Sequence, residues 1–302
     1  AIGQNAKVFG AEWGIAIGGT SCAAGYGGAV AIGKSTISCK GSIAIGNTAG
    51  ATGVEGLILR PTCNVFGSTA IFSGTRPIAL GAVNPHTFSD TIGIGRLAVH
   101  GASNTITIGV SSGATGPVSI AIGDNAKTSA YGGVAIGVNS CAAVGQTVAI
   151  GREACAGGNN SVAIGNYTLV TGSCAIGISG PSINANAGAT GTKSIVIGGG
   201  YSSPLASGIS AIAIGGNELA ARTCATANYA IALGEGANAS AIGSVAIGTL
   251  VTAATADTVT IKKLQMADYA TIDYADDTAA AAGGIPLGGV YHTSGALKIR
   301  IV

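Results

Sequence analysis

Along most of the chain, a short apolar block closed by glycine alternates with a small, polar stretch. The blocks include Ile78-Ala-Leu-Gly81, Ile92-Gly-Ile-Gly95, Ile106-Thr-Ile-Gly109, Ile120-Ala-Ile-Gly123, Val134-Ala-Ile-Gly137, Val148-Ala-Ile-Gly151 and Val162-Ala-Ile-Gly165. From Gly67 to Gly165 the closing glycines fall every 14 residues. A fixed period of this kind marks a repeat architecture, in which each unit stacks on its neighbours. Within a block the side chains alternate, and three β-branched or small residues are too few for a helix, so each block predicts a strand. The rest of a unit, as in Asp124-Asn-Ala-Lys-Thr-Ser-Ala-Tyr-Gly-Gly133, opens and closes on turn formers and leaves room for one more short strand.

Two strands and two turns per unit predict an all-β fold: a two-sided parallel β-roll of about 14-residue coils stacked about 4.8 Å apart. The residues expected to build the repeated core are Ile122, Gly123, Ile136, Gly137, Ile150, Gly151, Ile164 and Gly165. Each glycine is read as holding a tight turn or a backbone conformation that a Cβ would obstruct. Both faces of the block are apolar, with Val162 and Ile164 on one side and Ala163 on the other. One face must line the roll, and the spacing does not say which. The other is left in water on a lone chain, on the order of 1,400 Å² over the whole ladder, more than soluble monomers leave bare. The chain is therefore expected to form a closed homo-oligomer. Aspartate at Ile136 or Ile150 is expected to leave it unfolded or aggregated, since both faces are packed.

The regular stretch is flanked by looser ones. Near the start, blocks close at Gly3, Gly18, Gly33 and Gly46, and the interval from Gly46 to Gly67 grows to 21, read as a surface loop inserted into one coil. After Gly165 the intervals become 12, 21, 17, 19 and 14, which puts loops around Ile178 to Lys193, Gly199 to Ser210 and Gly216 to Tyr229. Tyr201 and Tyr229, aromatics on these loops, are the candidate surface contacts; the plainer reading is that each covers the underside of its loop. The domains expected are a repeat domain over 1–250 and a small β-rich C-terminal module over 251–302. In that module the blocks give way to charged residues, and Ala296-Leu-Lys-Ile-Arg-Ile-Val302 alternates as a strand.

The Ser-Val-Ala-Ile-Gly block at 14-residue spacing resembles the head repeat of trimeric autotransporter adhesins of the YadA type, over roughly residues 1–250. The resemblance implies a left-handed roll, three chains about one axis, and an adhesive or fibre role. Phage and other viral fibres carry similar modules, and the C-terminal tail resembles a short module of phage structural proteins. The chain opens inside a block and has neither a heptad stalk nor barrel strands. That favours a virion fibre or an excised passenger, and the first reading is an extracellular virion fibre that attaches to a host glycan or protein receptor. The alternatives are a purely structural filament and a passenger of a bacterial surface adhesin.

Composition narrows the function classes further. Charged residues are 9% and aromatic residues 4% of the chain, far below the usual globular mix, and one tryptophan, Trp13, with four phenylalanines cannot build a large conventional core, whereas the many small residues suit a thin roll. A net charge of +2 with scattered Lys and Arg gives no basic stripe, which argues against nucleic-acid binding. Polar residues interrupt every apolar run before it could cross a membrane. No cofactor, metal or catalytic constellation is expected. His86, His100 and His292 lie far apart in sequence, and the seven cysteines show no Cys-x-x-Cys spacing. Asp273, Asp276 and Asp277 lack the alternating oxygens of a calcium loop and read as solvated turn residues. Cys141 and Cys155 are 14 apart and should stack on adjacent coils. They read as small side chains replacing alanine or threonine, or alternatively as a disulfide or redox pair, although in-register neighbours suit a disulfide poorly.

Overall fold

The computed structural model of the chain describes all residues except 11, 12, 26, 40, 48, 53, 54, 61–69, 73, 74, 81–87, 181–186, 201–203, 217–220, 264–270 and 302. The chain divides into two compact units, Ala1–Thr260 and Ile261–Val302.

The larger unit is the all-β parallel roll that the period predicts. Its first sheet contains seventeen strands of three or four residues among the described residues, from Ile15–Ile17 to Val259–Ile261. Each pairs in parallel with the strand one coil away, as in Val134↔Val148, Ala135↔Ala149 and Ile136↔Ile150. The second sheet is made of the shorter strands between them. It runs in two stretches, Lys7–Phe9 to Ala70–Phe72 and Val99–His100 to Thr252–Ala253.

The structure settles which face is inside. The middle residue of each Val-Ala-Ile strand is fully buried, as at Ala121, Ala135, Ala149 and Ala163. The second strand turns its own small residue toward it, as at Ala114, Ala142 and Ala156. Serines and threonines fill the corners. There the Ser140 hydroxyl donates to the Gly137 carbonyl at 2.9 Å, and that of Thr147 to Val144 at 2.8 Å, so these buried hydroxyls are satisfied locally. Two sheets joined by such short turns lie too close for anything wider than alanine at most interior positions. Where a larger residue enters, its neighbour shrinks: a Cβ on Gly177 would come within 2.6 Å of Val170 Cγ2. His100 occupies one interior position, with Nδ1 2.8 Å from Thr105 Oγ1 and Nε2 2.9 Å from Thr107 Oγ1.

The closing glycines do what their position suggests. Gly137 has φ +131°, and a Cβ there would stand 2.4 Å from the carbonyl oxygen of Gly151 on the next coil. Many of the described turns also hold a non-glycine residue in the left-handed region. Asparagine serves this well at Asn125 and Asn139, whose side chains bond each other across coils at 2.8 Å.

One coil is built differently from the expectation. The strand after Ile43–Gly46 is Leu57–Arg60, in register Ala44↔Ile58 and Gly46↔Arg60, and the next is Ile78–Leu80. The coil from Gly46 thus keeps the 14-residue step, and the added residues fall after Arg60. Leu57-Ile-Leu alternates as a strand, but the block closes on arginine, so the glycine signature passed over it. The block expected at Gly67 lies outside the described residues.

The smaller unit is not wholly β. Asp277–Ala282 is a helix capped by Asp276, whose carboxylate accepts the Ala279 N–H at 2.8 Å. Val290–Thr293 pairs antiparallel with Ala296–Ile299, the strand expected from the terminal alternation. Tyr291 is buried and donates its hydroxyl to Asp277 at 2.5 Å, a bond that holds the phenol up at about 12.

Candidate functional site

With the alanine edge of each first-sheet strand turned inward, its other two side chains form the outer face of that sheet. Val148 and Ile150, Val162 and Ile164, and their counterparts on each coil make two aligned aliphatic columns. Ile122, Ile136 and Ile164 are half-buried by their coil neighbours, while Ile150, Ile176 and Ile178 stay 37%, 38% and 41% exposed. The isoleucines expected to build the repeat core therefore stand on the outside of a single roll. The glycines Gly123, Gly137, Gly151 and Gly165 sit at the turn that follows each strand. Aspartate at Ile136 or Ile150 accordingly leaves the alanine-lined interior of the roll intact and acts on its outer face, where these isoleucines stack on one another.

The two rows of turns differ. In the long coils the extra residues lie between a first-sheet strand and the second-sheet strand after it: between Ile178 and Ala187, between Ile197 and Leu205, and between Ile214 and Cys224. These long connections thus all join the sheets on the same edge of the roll. Tyr201 belongs to one of them and lies outside the described residues. In regular coils that edge carries side chains such as Arg152, whose guanidinium lies 5.4 Å from the Tyr167 ring centroid. The opposite edge presents Val118, Tyr131, Ile209, Tyr229 and Ile242 to solvent. Tyr229 sits there with φ +61°, its N–H bonded to the Ile209 carbonyl at 2.8 Å. It is 61% exposed, among the most exposed of the described large hydrophobic residues. Tyr131 was missed because it lies in a regular coil, where no change of interval points to it.

The outer face of the second sheet is heterogeneous. Its register brings Val99, Gly113, Lys127, Cys141, Cys155 and Leu169 into one column. Cys141 and Cys155 are in-register neighbours with free thiols, as their spacing predicts. Because Gly113 lacks a side chain, a cavity of about 350 Å³ opens between Val99, Thr115, Lys127 and Cys141.

The remaining candidates serve the local fold. Asp276 caps the helix, and Asp277 accepts from Tyr291 and from the Ile301 N–H. Asp273 accepts from the Ser294 N–H and lies 3.4 Å from His292 Nδ1. Among the described residues, no three His, Cys, Asp or Glu side chains are placed to hold a metal ion. His86 and Cys63 lie outside those residues. No described helix is long and apolar enough to cross a membrane.

The family model of the YadA head domain repeat matches this chain at residues 114–140, 145–168 and 225–250. All three segments lie in the roll. No match is found among curated proteins.

Proposed function

We propose that this chain is a non-enzymatic, homotrimeric fibre adhesin of the YadA-head kind, found outside the cell on a virion or a cell surface. The single observation that carries the reading is the aliphatic face of the first sheet, Val, Ile or Leu at the outward positions of its described strands, in a chain with three segments that match the YadA head domain repeat. Aliphatic surface repeated at every rung is buried far more favourably against sibling chains than against water. In this arrangement three left-handed rolls turn those faces to a common axis. The second sheet and the insertion edge then face outward. The insertions supply the variable surface for a host glycan or protein receptor. A virion fibre is favoured over a bacterial passenger by the resemblance of the C-terminal tail to modules of phage structural proteins.

The test is attachment. The full chain, coupled to beads, is compared on host cells and on arrayed glycans with a variant in which the connections from Ile178 to Ala187, Ile197 to Leu205 and Ile214 to Cys224 are shortened to the length of a regular coil. Loss of attachment with unchanged β circular dichroism is the expected outcome. Attachment that survives the shortening contradicts display by the insertions. Glycan turnover abolished by one carboxylate substitution contradicts the non-enzymatic reading.

A further inference from the structure

The Cys141–Cys155 pair has no part in the adhesive reading. Three features of its surroundings set it apart from the other described cysteines. First, strand register places Lys127 directly beside Cys141 on one side and Cys155 directly beside it on the other. Second, the cavity left by Gly113 is lined by both Cys141 and Lys127, and Cys141 is only half-buried, so a small molecule seated there lies against both residues. Third, the two thiols are pushed in opposite directions. Hydrogen bonding from Cys155 brings the Cys141 thiol down to about 6, helped by the Lys127 charge, and the same bond pushes Cys155 up. Only Cys141 borders Lys127, which fixes the direction of that asymmetry. Across the roll, Val134–Ile136 turns only Ala135 inward, and the carboxylates of Asp124 and Glu153 belong to the turns.

We propose that Cys141 is a thiol-exchange site for anionic low-molecular-weight disulfides, which it retains as a mixed disulfide beside Lys127. In the step, the Cys141 thiolate attacks one sulfur of the disulfide. A new sulfur–sulfur bond forms as the old one breaks, and the second half leaves as a thiolate that takes a proton from water. Cys141 is oxidised and one half of the small disulfide is reduced, so the electrons balance. The adduct persists because Cys155 is poorly placed to displace it. In-register parallel strands hold neighbouring Cβ atoms about 4.8 Å apart, against about 3.8 Å in a relaxed disulfide.

The experiment treats the intact chain with oxidised glutathione, which is anionic, and with cystamine, which is cationic, over pH 5–9. Peptide mass spectrometry then follows each cysteine. Cys141 is expected to react with an inflection near pH 6. At that pH its rate should be about 20-fold above the exposed Cys174, after allowing for the lower nucleophilicity of a more acidic thiolate. Oxidised glutathione should be preferred over cystamine, and K127Q should erase the preference. Cys155→Ala should move the inflection toward that of an ordinary thiol, while Cys155→Ser, which keeps a donor hydroxyl, should move it less. An inflection at ordinary thiol pH in the unmodified chain, labelling spread evenly over the cysteines, or closure to a Cys141–Cys155 disulfide would each overturn the proposal. None of these readouts depends on attachment or on the number of chains.

Discussion

The two sheets of the roll have the same inner face and opposite outer faces. Inside, both present alanine, serine or threonine, because the gap between them admits little else. Outside, the first sheet repeats valine and isoleucine on coil after coil, whereas the second runs Val99, Gly113, Lys127, Cys141, Cys155 and Leu169. The inner constancy follows from the roll's own geometry. The outer constancy of the first sheet does not follow from it, since the width of the interior sets only the residues that point inward. An aliphatic face kept where the fold does not demand it points to contacts between chains, and the varied face points to solvent.

Aspartate is the sharpest way to break that comparison. Ile136→Asp combined with Ile150→Asp puts two charges on the first sheet's outer face and should abolish assembly, read as a fall in native mass. Leu169→Asp, the corresponding change on the second sheet, should leave the mass unaltered. Two further substitutions probe what both sheets share. Gly137→Ala meets the Gly151 carbonyl and a φ of +131°, and should cost about 3 kcal/mol in a denaturant titration. Ala149→Leu overfills the interior and should cost about 2 kcal/mol in the same assay. The smallest effect runs the other way. Val118 is β-branched with φ +56°, in a column that also holds Asn104 and Asn160. Val118→Asn should therefore stabilise by about 1 kcal/mol, seen as a higher thermal midpoint at fixed protein concentration.

Much of this was legible in the sequence because a two-sided coil with one fixed period has few solutions. The stacking of Cys141 on Cys155 follows from spacing alone. The choice of inner face was not legible, since Ala163 and its flanking Val162 and Ile164 are all apolar, and only the width of the interior separates them. Leu57–Arg60 was missed because Arg60 stands where other blocks have glycine. The helix Asp277–Ala282 did carry a signal, a capping aspartate before an alanine run, but it was masked by the expectation of a β-rich tail. His100 showed no signal at all: its two threonine partners come from the same coil, and only the fold brings their hydroxyls to both ring nitrogens.

The central claim is that a single roll is incomplete and its aliphatic face is closed by siblings. Native mass of the unmodified chain, measured as it is diluted to nanomolar concentration, tests this most directly. The account predicts a species of three times 28.7 kDa that persists on dilution. A folded, stable species of 28.7 kDa, soluble with its Val/Ile columns in water, would contradict it.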